Sequence, residues 1–326
     1  MIIGVIFGGL LLAGITVGII ASIKKGQPKL IKENIPENLG VLNHVPIQPL
    51  LNQLNMALDD EYIQQVKQRF LKEHPQRSED EFEWLLFELK RYFLVANILK
   101  KAPMFSEDVD EIWHEMILFT KEYQSFSEQF LGEMLHHIPN TNPDPAPQDR
   151  AFFDWVFSQL FQITEFSWKT WGSFFNHPLS NEILKEFKEN SKEALLEKYF
   201  RQSEVNKGLA EYLVDRMKKQ INEAEKIYQV DKKGSFTKQQ TYGDMTSLSL
   251  VMVFFSFYYF NDYWEYAKVY AFTQVAKYTS GCSNAVFCGT ASSDRSGDNH
   301  GDGSGDGGGN SGCGSSCSSC GGGCSS

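Results

Sequence analysis

Cysteine is missing from the chain until Cys282; all six lie between there and Cys324 in a protein of 326 residues. No disulfide is therefore expected in the folded part, and any thiol chemistry belongs to the C-terminal segment. A cysteine-free body suits a reducing compartment. Excess positive charge is also lacking. The 31 Lys and Arg against 41 Asp and Glu leave a formal charge of -10, which argues against a phosphate-backbone binder, so no nucleic-acid partner is expected. Nor does the chain carry a Gly-Lys-Ser/Thr phosphate loop or a Gly-x-Ser-x-Gly nucleophile elbow. Gly303-x-Gly305-x-x-Gly308 has dinucleotide-loop spacing, but it sits in low-complexity sequence with no strand before it and no helix after it. His114-Glu115 opens like a zinc-protease helix, yet Leu118 stands where the second histidine is required.

Charge is absent from Ile2 to Ile23 as well. About 20 apolar residues suffice for a helix to cross a bilayer. A cleaved signal peptide normally has basic residues before its apolar run. Here Lys24 and Lys25 follow it. Residues 1–23 are therefore expected to be a single-pass anchor in the cell membrane. Lys24, Lys25, Lys29 and Lys32 lie on its C-terminal side, which places the body in the cytoplasm by the positive-inside tendency. Gly4-x-x-x-Gly8 and Gly14-x-x-x-Gly18 are small-residue pairs that allow two such helices to approach closely, a route to self-association.

The remaining pattern predicts a mainly α fold. Residues 24–47, with Pro28, Pro36 and Pro46, read as a juxtamembrane linker, and 48–139 as a helical Trp-His module. Within the module a helix is expected over Leu50–Glu73, before Pro75. Ser78 and Glu81 form a capping box for a second helix running to about Leu99, and Ser106 caps a third that carries Trp113. Residues 140–148 read as a Pro-rich linker and 149–280 as a second helical region. That region has an aromatic stretch over 149–175 and a charged one over 179–229, whose stripe is Leu184, Phe187, Leu195, Leu196 and Tyr199. Leu248–Phe260 is apolar but too short to span a bilayer, which leaves a buried helix or strand or an interfacial segment. The 25 Phe, 13 Tyr and 6 Trp can fill a sizeable core. Residues 281–326, rich in Gly, Ser and Cys, bury too little apolar surface to offset chain entropy and are expected to be disordered.

Metal-ligating residue types concentrate in two places. Asp110 and His114 are four apart and share a helix face. The carboxylate can accept a hydrogen bond from one imidazole nitrogen, fix the tautomer, and leave the other nitrogen for a metal, a ligand or a backbone carbonyl. Trp113, Ile117 and Tyr123 fall on or near the packed side. Gly132 can end the helix and turn the chain so that His136 and His137 approach His114. Asp110, His114, His136 and His137 thus form a candidate site for a divalent metal such as zinc or for a small ligand; the alternative is a structural histidine satisfied by Asp110. The second place is the tail, where Cys313, Cys317, Cys320 and Cys324 have the number and type of donors for tetrahedral zinc. The first three also have the spacing of a radical-enzyme iron–sulfur motif, without the barrel such a cluster needs.

The pattern Asp110-x-x-Trp113-His114, Tyr123-x-x-Phe126, Gly132 and His136-His137-x-Pro139 resembles the module of bacterial and plant glycine-rich domain-containing proteins. The resemblance covers residues 109–139 strongly and about 50–140 loosely, and the Gly-rich C-terminus is in keeping with it. It implies a helical module with no established biochemistry. Met116 and Ser127 stand where many members have a histidine and a cysteine. The sequence reading favours a membrane-tethered, non-enzymatic interaction or scaffold protein with a protein partner or self-association. Two alternatives stand beside it: a metal- or ligand-dependent enzyme centred on Asp110, His114 and His137, and a metal-handling protein that uses the tail cysteines.

Overall fold

Capping side chains set most of the helix boundaries. A computed structural model describes residues 30–137, 146–237 and 243–271. The expected helix over Leu50–Glu73 is two helices, α1 (Gln48–Ala57) and α2 (Asp60–Glu73). The break lies at Asp59, whose carboxylate accepts the backbone N–H groups of Glu61 and Tyr62 at 2.8 and 3.0 Å and so starts a new helix. Helix α3 (Glu79–Ile98) begins at the expected Ser78–Glu81 capping box. Ser106 caps α4 (Glu107–Leu118), and α5 (Thr120–Leu131) ends at Gly132, whose φ of 79° is the left-handed conformation glycine adopts without strain.

The aromatic stretch 149–175 is likewise interrupted. Helix α6 (Pro147–Leu160) stops where Phe161–Ile163 extend. The freed backbone groups pair across single bridges from Phe161 to Val41 and from Ile163 to Gly243. Thr164 then caps the short α7 (Glu165–Trp171). The charged stretch 179–229 forms three helices, because Ser191 caps a fresh start and Phe200 then extends to pair with Leu99: α8 (Asn181–Glu189), α9 (Lys192–Tyr199) and α10 (Lys207–Val230). Most of the Leu248–Phe260 run lies in a largely buried helix, α11 (Thr246–Tyr258), with Phe260 exposed beyond its end, and α12 (Tyr263–Ala271) follows. The protein is mainly helical, and no helix among the described residues is long and apolar enough to cross a membrane. The Ile2–Ile23 run, most of the 139–147 break and the tail from Gly281 onward lie outside the described residues.

One hydrophobic cluster runs from Ile47 to Ala267 and takes side chains from both sides of residues 138–145, among them Phe93, Phe126, Trp155, Phe157 and Phe187. All described residues belong to one unit of the chain, Met1–Phe287; the other, Cys288–Ser326, lies wholly outside them.

Helix α3 is buried along most of its length, Glu88 and Arg91 included. Burial on nearly every side forces those two charges to be satisfied internally. Arg91 donates from Nε to the Leu39 carbonyl at 2.8 Å and from Nη1 to Ser167 Oγ at 3.3 Å, and it lies 3.5 Å from a Glu88 carboxylate oxygen. Glu88 in turn accepts from Ser167 Oγ and from the Trp171 indole, both at 2.9 Å. The guanidinium stacks 4.1 Å from the Phe87 ring centroid. Burial pulls the Arg91 pKa down and the Glu88 carboxylate opposes that shift. Glu88→Leu, which leaves the guanidinium buried without its counter-charge, is expected to cost about 3–5 kcal/mol of unfolding free energy in a denaturant titration. Glu79→Ala, at an exposed partner of Lys67, should leave the denaturation midpoint nearly unchanged.

Candidate metal site at the end of helix α5

The Tyr123 hydroxyl holds the chain that follows α5 against α4. It accepts the Trp113 indole N–H at 2.9 Å and donates to the Leu135 carbonyl at 2.6 Å. All three groups are buried, so both bonds form in a low-dielectric setting where an unpaired donor or acceptor is costly. Burial pushes the Tyr123 hydroxyl above the ordinary phenol range, while its hydrogen bond from Trp113 acts the other way. The chain can reach back this far because Gly132 reverses it in the left-handed conformation.

His137 then lands on α4. Its Nε2 lies 2.8 Å from Asp110 Oδ1, and its ring packs edge-on against Trp113 with centroids 4.6 Å apart. His114, one turn after Asp110, brings its Nε2 to 3.7 Å from the other carboxylate oxygen, and the two imidazole centroids are 4.5 Å apart. One ligand atom from each of Asp110, His114 and His137 fits within 4.8 Å of the other two. Tetrahedral zinc, at about 2.0–2.2 Å from nitrogen and oxygen donors, needs donors spaced by roughly 3.3–3.5 Å. To hold such an ion the ligand atoms would have to draw together by about an ångström, and His137 and Asp110 would have to give up their 2.8 Å hydrogen bond.

The side chains differ in freedom. That of His137 is 8% exposed, that of Asp110 24% and that of His114 54%. The set is thus one buried imidazole, one partly buried carboxylate and one half-exposed imidazole. Tyr92, beneath Trp113, donates to the Ala102 carbonyl at 2.7 Å. Burial first, and the Asp110 carboxylate second, drive its hydroxyl well above the ordinary range, so it stays a neutral donor.

The sequence pattern named Asp110, His114, His136 and His137 together, and the structure brings three of them into one group. His136 is exposed and outside it, because neighbouring side chains on non-helical backbone diverge. Cys313, Cys317, Cys320 and Cys324 lie outside the described residues. Sequence reasoning missed the double role of the Tyr123 hydroxyl and the approach of Tyr92; the regular Trp113, Tyr123 and Leu135 placement around Gly132 is the only signal for the first. Met116 packs in the core, and its carbonyl accepts the Tyr62 hydroxyl at 2.8 Å, while Ser127 Oγ donates to the Tyr123 carbonyl at 2.8 Å. Those two positions serve packing, not the ligand set. Tyr123→Phe leaves the Trp113 indole and the Leu135 carbonyl without partners and is expected to lower stability by about 1–3 kcal/mol by denaturant titration.

Residues 52–160 match the family model described as UCP032817-like, a span of about one third of the chain that takes in part of α1, all of α2 through α6 and the whole Asp110–His114–His137 group. No curated protein and no solved structure matches the chain. The match corrects the resemblance to glycine-rich domain-containing proteins: the family model that fits this segment is a different one. The short pattern misled because its Asp, Trp, His, Tyr and Gly are what this local helix–turn staple requires, and local geometry does not identify a lineage. Over residues 52–160 the chain is similar to the UCP032817-like family, whose description names no activity.

Proposed function

We propose that this protein is a membrane-tethered helical module that holds a divalent metal ion, zinc above all, at Asp110, His114 and His137. The observation that carries the reading is the convergence of three ligand atoms within 4.8 Å from two chain segments that the Tyr123 hydroxyl binds together. Two imidazoles and a carboxylate suit zinc and neighbouring first-row ions, and hold calcium or magnesium poorly. Three protein donors leave one position of a tetrahedral ion for water or a ligand, the arrangement that permits chemistry as well as binding. The charge-free Ile2–Ile23 run supports the tether, and the lysines after it support a cytoplasmic body.

A second reading has its own observation. His137 is already satisfied at 2.8 Å by Asp110 and packed on Trp113, so the same contacts can serve a metal-free interaction scaffold, with a protein partner or a second copy bound elsewhere. The metal-handling tail is the third possibility.

Zinc content per chain, measured by mass spectrometry on full-length protein purified in detergent under reducing conditions without chelator, separates them. One equivalent is expected in the native protein and in a variant with Cys313, Cys317, Cys320 and Cys324 all changed to Ser. His114→Ala should lose at least about tenfold in zinc affinity, as removal of a direct donor does, with little change in thermal midpoint because the side chain is half exposed. Metal that disappears only with the cysteines assigns it to the tail. Absence of metal from every sample leaves the scaffold.

A further inference from the structure

A second candidate site lies where the N-terminal segment crosses α1 and α3. A cavity of about 350 Å³ is lined there by Lys32, Asn38 and Leu39 of the segment, Asn55 of α1, and Glu83 and Lys90 of α3. It is within the size range of small-molecule pockets. None of its lining residues belongs to the Asp110–His114–His137 group.

Three observations meet at this cavity. First, Lys90 is half-buried and makes no ion pair or hydrogen bond among the described residues. Burial lowers its pKa, and the Glu83 and Asp60 carboxylates only partly oppose the shift. Glu83 is already engaged: one of its oxygens lies 3.0 Å from Lys67 Nζ and 3.4 Å from Lys32 Nζ. A partly desolvated ammonium without a close counter-ion favours an anion beside it.

Second, the rim of the cavity is a strained turn. Asn38 and Leu39 have φ of 49° and 55°, and Gly40 follows at 58°. Left-handed backbone costs a non-glycine L-residue roughly 1–2 kcal/mol, with Asn the more tolerant of the two. The turn is held by the buried Arg91, which donates to the Leu39 carbonyl. Gly40 cannot carry a side chain there, since a Cβ would stand 2.4 Å from Arg91 Nη2. Strain kept by such a device concentrates at functional sites.

Third, the walls are mixed. Ile35 and Leu39, both partly exposed, supply hydrocarbon, and Asn38 and Asn55 supply amides. Glu83, also in the lining, repels a dianion more than a monoanion.

We propose that this cavity binds a small organic monocarboxylate, its charged end at Lys90 and Lys32 and its hydrocarbon part on Ile35 and Leu39. The carboxylate supplies the counter-charge that Lys90 lacks. A phosphate monoester, more highly charged and without an acyl tail, meets Glu83 and leaves the apolar wall uncovered.

Calorimetric titration of full-length protein in detergent tests this with hexanoate, with hexanol as the neutral control of equal chain length and with inorganic phosphate. Hexanoate should saturate one site, with hexanol weaker by at least about tenfold, the worth of a charge-assisted hydrogen bond. Lys90→Met, which keeps the aliphatic stem, should lose about tenfold for hexanoate, and Lys90→Arg should restore most of it. His114→Ala should leave hexanoate affinity unchanged, which keeps this site distinguishable from the metal site. Equal affinity for hexanoate and hexanol, unchanged hexanoate affinity in a folded Lys90→Met, tighter binding of phosphate, or no saturable hexanoate binding overturns the proposal.

Discussion

Burial of α3 on nearly every side is the constraint from which the rest of the body follows. A helix so placed has no solvent to hydrate Glu88 and Arg91, so its neighbours must do it. The Leu39 carbonyl, Ser167 and Trp171 come from the N-terminal segment and from α7, and their hydrogen bonds to this pair fix where those elements sit. The same helix presents Tyr92 and Phe93 to Trp113, with centroids 5.3 and 5.8 Å away, and so sets the floor on which His137 rests. Both candidate sites are built against this helix: the metal group through Trp113, the cavity through Lys90 and the turn that Arg91 holds.

Helix boundaries were legible wherever a single side chain decides them. Ser78, Ser106 and Gly132 each act through a local hydrogen bond or a local φ preference, and local sequence is enough to see that. Asp59 and Ser191 act in the same way but lie inside stretches whose apolar spacing continues through them, so periodicity alone joined helices that capping separates. The end of α6 was illegible for a different reason. Phe161 and Ile163 leave the helix to pair with Val41 and Gly243, and no local signal encodes partners so distant in the chain.

The candidate metal site shows the same division. Asp110 and His114 share a helix face by spacing, and their placement needs nothing beyond the helix repeat. That His137 joins them and His136 does not depends on the Tyr123 hydroxyl gripping the Leu135 carbonyl, a contact between segments that spacing cannot choose. The unlike burial of the two imidazoles follows from it. His137 is wedged between Trp113 and Asp110, whereas His114 reaches out from the helix surface.

The central claim is that these three side chains close on one ion, and its most direct test is anomalous diffraction at the zinc edge from crystals of the zinc-loaded protein. The account predicts one peak about 2.0–2.2 Å from an imidazole nitrogen of His114, an imidazole nitrogen of His137 and a carboxylate oxygen of Asp110. A map with no peak there, and with His137 still hydrogen-bonded to Asp110, would contradict it.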